Sequence, residues 1–91
     1  MTAFEVYLNG EKLCTAGLGD EGVLSTLLSW RGNQPYKDGT APASASLEFS
    51  VGGLISATGE QVRWAEPKIQ LGDEIRIRLV NVESADTPQK R

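Results

Sequence analysis

The stretch Pro67-Lys68-Ile69-Gln70-Leu71-Gly72-Asp73-Glu74-Ile75-Arg76-Ile77-Arg78-Leu79-Val80 constrains the fold more than any other part of the chain. A Gly-Asp turn leads into a two-residue alternation, with Ile75, Ile77 and Leu79 on one face and Glu74, Arg76 and Arg78 on the other. Successive side chains leave a pleated backbone on opposite sides, so this pattern predicts a half-buried β-strand. The charged face predicts a cross-strand ladder with Glu48 or Glu5, which also discourages edge-to-edge aggregation.

Other segments carry the same signature. Phe4-Glu5-Val6-Tyr7-Leu8, Asn9-Gly10 and Glu11-Lys12-Leu13-Cys14-Thr15 read as a hairpin, because Asn-Gly is the preferred centre of a type I′ turn. A two-residue turn sets Leu8 opposite Glu11, Tyr7 opposite Lys12, Val6 opposite Leu13 and Glu5 opposite Cys14. Phe4, Val6, Leu8 and Leu13 then point inward, and Cys14 lies on the outer face. Ser46-Leu47-Glu48-Phe49-Ser50-Val51 is a strand with Leu47, Phe49 and Val51 inward, ended or bulged by Gly52-Gly53. Gln61-Val62-Arg63-Trp64 is a shorter one.

Val23-Leu24-Ser25-Thr26-Leu27-Leu28-Ser29-Trp30 fits two templates. As a helix it would be capped by Asp20 and ended by Gly32; its serines, its threonine and Gly22 favour a strand. Residues 31–45, with Gly32, Pro35, Gly39 and Pro42, form a loop long enough to suggest a purpose. From Asn81 to Arg91 the apolar pattern fails after Val82, and a frayed polar tail is expected. The resulting expectation is an all-β protein: one domain over 1–83, with a polar tail over 84–91. Its five to seven mostly antiparallel strands would form a compact sandwich or partly open barrel. The alternative is an α+β, β-grasp-like fold with a helix near 21–31.

Composition removes several function classes. The sequence has no histidine, hence neither the commonest general base nor the commonest metal ligand. A single cysteine excludes an internal disulfide and a thiolate zinc cage. Net charge is −3, and with Lys90 and Arg91 set aside seven basic residues face twelve acidic ones without clustering. A phosphate-binding surface needs a positive stripe, so nucleic acid is not expected as a partner. No apolar run is long enough to cross a bilayer, and Met1-Thr2-Ala3-Phe4-Glu5 lacks the blocks of a signal peptide, so the expected location is the cytoplasm. Gly17-Leu18-Gly19-Asp20-Glu21-Gly22 matches a nucleotide-loop spacing only formally, since its two carboxylates repel phosphate; it reads as a turn. No catalytic residue, metal ligand or cofactor-binding residue is expected, and no cofactor.

Two resemblances bear on these residues. Leu8-Asn9-Gly10 with Leu13-Cys14, Gly22-Val23-Leu24-Ser25 ending in Trp30, and Gly52-Gly53-Leu54 followed by Trp64 and Leu71-Gly72-Asp73-Glu74-Ile75 together resemble a group of small uncharacterised bacterial proteins. That resemblance spans most of the chain and implies no activity. The order of hairpin, optional helix, strand and Gly-Asp turn also resembles the β-grasp sulfur carriers and ubiquitin-like proteins. Those carriers act through an adenylated C-terminal Gly-Gly. Here the end is Thr87-Pro88-Gln89-Lys90-Arg91 and Gly52-Gly53 is internal, so the resemblance does not imply their chemistry.

The expected function is a non-enzymatic protein-binding module: an inhibitor, an immunity-type protein or an assembly subunit. Arg31, Tyr36, Lys37 and Trp64 are the candidate partner-binding residues. Tyr36, between Pro35 and Lys37 and near Arg31, has the composition of an interface hot spot as well as that of a ring docked on its own domain. Trp64 and Trp30 each end an apolar segment and suit core packing or a ligand platform. A homodimer through a sheet edge is a further expectation. The alternative function is a small-molecule or metabolite binder, with Trp30, Trp64 or Tyr36 lining a pocket.

Overall fold

The Asn9-Gly10 turn forms as its sequence demands. Both residues have positive φ, 52° and 85°, the signature of a type I′ hairpin. It joins β1 (Thr2–Leu8) to β2 (Glu11–Ala16). The protein was studied as a computed structural model, which describes residues 1–19, 22–32 and 46–90. The further strands are β3 (Val23–Arg31), β4 (Ser46–Ile55), β5 (Glu60–Ala65), β6 (Ile75–Asn81) and the two-residue β7 (Gln89–Lys90). All paired strands are antiparallel. They form two open sheets, ordered β2-β1-β6 and β3-β4-β5-β7.

The protein is therefore all-β and sandwich-like, and its strands do not close into a barrel. The helix considered near 21–31 is not formed: Val23–Arg31 pairs with β4 residue for residue, from Val23 opposite Leu54 to Arg31 opposite Ser46. Ser25, Thr26 and Ser29 are indifferent helix formers, and β-branched Thr26 suits the pleat.

Between the sheets lie Val6, Cys14 and Ala16 from the first and Phe49 and Val51 from the second. Phe4, Leu13, Leu24, Trp64, Ala65, Ile69 and Ile75 pack around them. Each fully buried aliphatic or aromatic side chain is worth roughly 1.5–3 kcal/mol. On β4 Phe49 and Val51 lie in this interior as the alternation predicts, whereas Leu47, on the face of Phe49, is half-buried outside the core cluster.

The hairpin register departs from the simple two-residue expectation. Leu8 and Tyr7 oppose Glu11 and Lys12, but Val6 opposes Cys14 and Glu5 opposes Thr15. Leu13 is the extra residue of a β-bulge, and it turns Cys14 from the outer face to the interior. Cys14 is 4% exposed, not a surface thiol. Desolvation, and then the charge of Asp86, push its pKa up to about 11 against the opposing pull of Lys12, so it is an inert neutral thiol.

On the outer face of the first sheet Glu5 accepts from Lys12 at 3.3 Å and pairs with Arg78 at 3.5 Å. The charge ladder of β6 therefore uses Glu5, one of the two partners expected.

Gly52-Gly53 neither ends nor bulges β4, which runs on to Ile55; the irregularity in the β4–β5 pairing lies opposite Val51 and Gly52, where Trp64 is the extra residue of β5. A Cβ on Gly53 would lie 2.6 Å from the Val23 carbonyl oxygen and 3.4 Å from the Trp64 ring. The ring contact would be an ordinary one, but only glycine allows the approach of the Val23 carbonyl.

The last residues do not fray. The Val82 N–H donates to the Met1 carbonyl at 2.9 Å. Asp86 then docks on β2: its N–H donates to the Thr15 carbonyl at 2.9 Å, and its carboxylate accepts from the Thr15 N–H at 2.8 Å. The Trp64 indole N–H of the other sheet donates to the Asp86 carbonyl at 2.8 Å. Finally β7 pairs with β5 at Val62 and Arg63. Residues 82–90 thus strap the two sheets together along β2 and β5. No apolar periodicity encodes this strap; backbone pairing and one carboxylate hold it.

Candidate functional site

The inward alternation predicted for β6 is right in direction and lacks a cover. Ile77 opposes Val6 and Leu79 opposes Phe4, on the face that carries the core, yet Leu79 is 74% exposed. β6 is the outer strand of its sheet. Only Ile75, at its start, packs against the core cluster.

β3, the outer strand of the other sheet, behaves alike on both faces. Leu24, Thr26, Leu28 and Trp30 share the face of Val51 and Phe49, while Val23, Ser25, Leu27 and Ser29 share the opposite one. Leu27 and Leu28 are 62% and 61% exposed, and Trp30 is 69% exposed.

Trp30 and Leu28 border a shallow apolar groove. Two adjoining hollows, about 260 and 290 Å³, share Leu47, Ile69, Gln70 and Leu71 as a common wall. Leu28 and Ile75 complete one hollow and Trp30 completes the other. Leu71, in the turn before β6, is 87% exposed at the rim.

That turn is held firmly. Asp73 accepts from the Asn9 side-chain amide at 3.0 Å and from the Gln70 N–H at 2.8 Å. The Glu74 N–H donates to the Asn9 side-chain oxygen at 2.8 Å, and the Asn9 N–H to the Glu74 carbonyl at 2.8 Å. The two bonds to the Asp73 carboxylate, first that from the Asn9 amide and then that from the Gln70 N–H, hold it below its ordinary pKa. The hairpin turn thus fixes one wall of the groove.

Of the four candidate residues, the two that the structure describes, Arg31 and Trp64, do not converge. Arg31 ends β3 beside Trp30, on the face opposite the groove, and is exposed. Tyr36 and Lys37 lie outside the described residues. Trp64 packs against the core and over Gly53 while donating to Asp86. Seven residues of β4 separate Ser46, the partner of Arg31, from Gly53. At about 3.3 Å per residue that is roughly 23 Å. Trp30 is less buried than core packing at a strand end would require, whereas Trp64 is packed as such a residue should be.

Leu28, Leu47, Ile69 and Leu71 were not singled out by the sequence. A signal existed in the doublets Val23-Leu24 and Leu27-Leu28, which place apolar side chains on both faces of one strand.

Among the described residues no group of three or more carboxylate and thiol side chains is placed to hold a metal ion. Nor is any helix there long and apolar enough to cross a membrane. No protein-family model matches the chain, and no curated protein or solved structure matches it significantly.

Proposed function

We propose that this protein is a non-enzymatic binding module that holds a protein partner on the apolar groove beside β3. The observation that carries this reading is the cluster of exposed Trp30, Leu28 and Leu71 around half-buried Leu47 and Ile69 on one side of the molecule. Large apolar side chains gathered in one patch, instead of scattered, mark interaction surfaces. An indole beside leucines supplies the anchor type that dominates interface energetics.

Chemistry supports the same reading. Of the described titratable groups, Cys14 is shifted towards a buried neutral thiol and Asp73 is committed to the turn, so neither is an activated group. The two hollows are shallow and open to solvent, unlike the enclosing pocket of a typical small-molecule site. Shallowness suits a protein surface better than a metabolite.

Affinity capture from the source cell with the tagged full chain tests the proposal. The expected result is a stoichiometric protein retained by the wild type and lost with Trp30→Ala and Leu71→Asp. Capture of nothing, or capture indifferent to both substitutions, would refute it.

A further inference from the structure

Among the described residues four strand edges bound the two sheets, and three of them are protected. β7 presents only two residues. β2 is covered at Thr15 by Asp86. β6 alternates Arg76 and Arg78 with its apolar residues, and charge of this kind blocks edge pairing. β3 has none of these devices. It runs nine residues, Val23–Arg31, without proline or glycine and with no charge before its last residue. Its pairing with β4 shows no bulge. No described strand pairs along its other side. A long, regular, uncharged edge is a template for a further strand.

We propose that the occupant of this edge is β3 of a second copy of the chain, paired antiparallel about a two-fold axis at Leu27. The inference goes beyond the binding-module reading: it concerns the free edge of β3, not the groove on its face, and stands independently of any partner held there. β3 is self-complementary under this reversal. Leu27 meets Leu27, Thr26 meets Leu28, Ser25 meets Ser29, Leu24 meets Trp30, and Val23 meets Arg31.

Residues of the groove face therefore meet groove-face residues, and each serine meets a serine. Apolar and hydroxyl pairs of these kinds are the favourable units of a sheet. The two copies of Arg31 fall at opposite ends of the ladder. They are eight residue steps apart along the ladder, roughly 26 Å and well beyond the screening length in physiological salt. A parallel pairing in register would instead set the two arginines side by side. The two-fold arrangement is closed, as most homo-oligomers are, and consumes both free edges. Two four-stranded sheets become one continuous sheet. Leu27, otherwise 62% exposed, gains a partner, and Trp30 stands against Leu24 of the second copy.

Sedimentation of the purified full chain, from low micromolar to hundreds of micromolar, reads the result directly. The wild type is expected at twice its 9.8 kDa mass. Leu27→Lys sets two ammonium groups face to face at the axis and is expected to weaken dimerisation at least tenfold, with an unchanged far-ultraviolet spectrum. Leu27→Cys gives the register: directly opposed residues have Cα atoms about 4.5–5.5 Å apart, within disulfide range. Oxidation should cross-link Leu27→Cys efficiently and Val23→Cys poorly.

A monomer at every concentration would overturn the inference. So would a dimer indifferent to Leu27→Lys, or one that cross-links equally well at both cysteines. A monomer that still captures a cellular protein through Trp30 and Leu71 would remove the second copy and keep the binding-module reading. A dimer that captures nothing would leave this inference standing and remove the hetero-partner.

Discussion

Along β2 and β5 the two sheets are strapped; along β3 and β6 the equivalent apolar residues stand open. On the first side Cys14, Ala16 and Val62 are buried, and Asp86 joins β2 to Trp64. On the second, Leu79, Leu28 and Trp30 carry the same alternation and are largely exposed. The difference does not lie in hydrophobicity. It lies in whether another segment arrives to exclude water, and on the strapped side that segment is a polar tail held by hydrogen bonds. An alternating strand therefore specifies which face is apolar, and a neighbour decides whether that face becomes core. A face without its neighbour is where this molecule has binding energy to offer.

The contrast is broken most forcefully by truncating one side chain from each region. Phe49→Ala, in the enclosed core, should cost about 3–5 kcal/mol in urea unfolding. Leu79→Ala on the open face should change stability by less than about 0.5 kcal/mol, as exposed substitutions do. Similar costs at both positions would show that the open face is covered in solution.

A smaller effect is expected from the strap. Asp86→Ala removes the carboxylate acceptor of the part-buried Thr15 N–H and should cost about 1–3 kcal/mol, with Asp86→Asn costing less because it keeps an acceptor. Hydrogen exchange at Thr15 should rise in the alanine variant. Unchanged protection there would mean that the tail does not hold β2.

The smallest effect concerns the turn that walls the groove. A lowered carboxyl pKa in the folded state means that the unfolded chain binds the proton more readily. The Asp73 contribution is therefore fully present above the ordinary value of 3.8 and is lost as pH falls through the lower folded value. Thermal melts of wild type and Asp73→Ala should differ at neutral pH and converge on acidification. A gap that persists in acid would assign the turn's stability to something other than the carboxylate.

Much of the fold was legible in the chain. Asn9-Gly10 placed the first turn, Phe49 and Val51 were read as inward, and the Gly-Asp turn announced β6. The position of Cys14 was not legible, because one extra residue at Leu13 reverses which face it occupies, and no local rule signals such a bulge. The strap was invisible for a different reason. Its bonds join Asp86 to Thr15 across 71 positions, and sequence periodicity reports only on near neighbours. Of the candidate surface, Arg31 was read beside the loop, whereas the groove of Trp30, Leu47, Ile69 and Leu71 gathers residues from three separate segments.

By itself the sequence settled strand character, the hairpin turn and the absence of histidine chemistry, because these depend on residue type and on spacings of a few positions. Tertiary structure alone decided which apolar faces are shielded from water, where the single thiol points and which strand edge is left without protection. Burial is a property of pairs of surfaces, and the second surface of each pair lies far away along the chain.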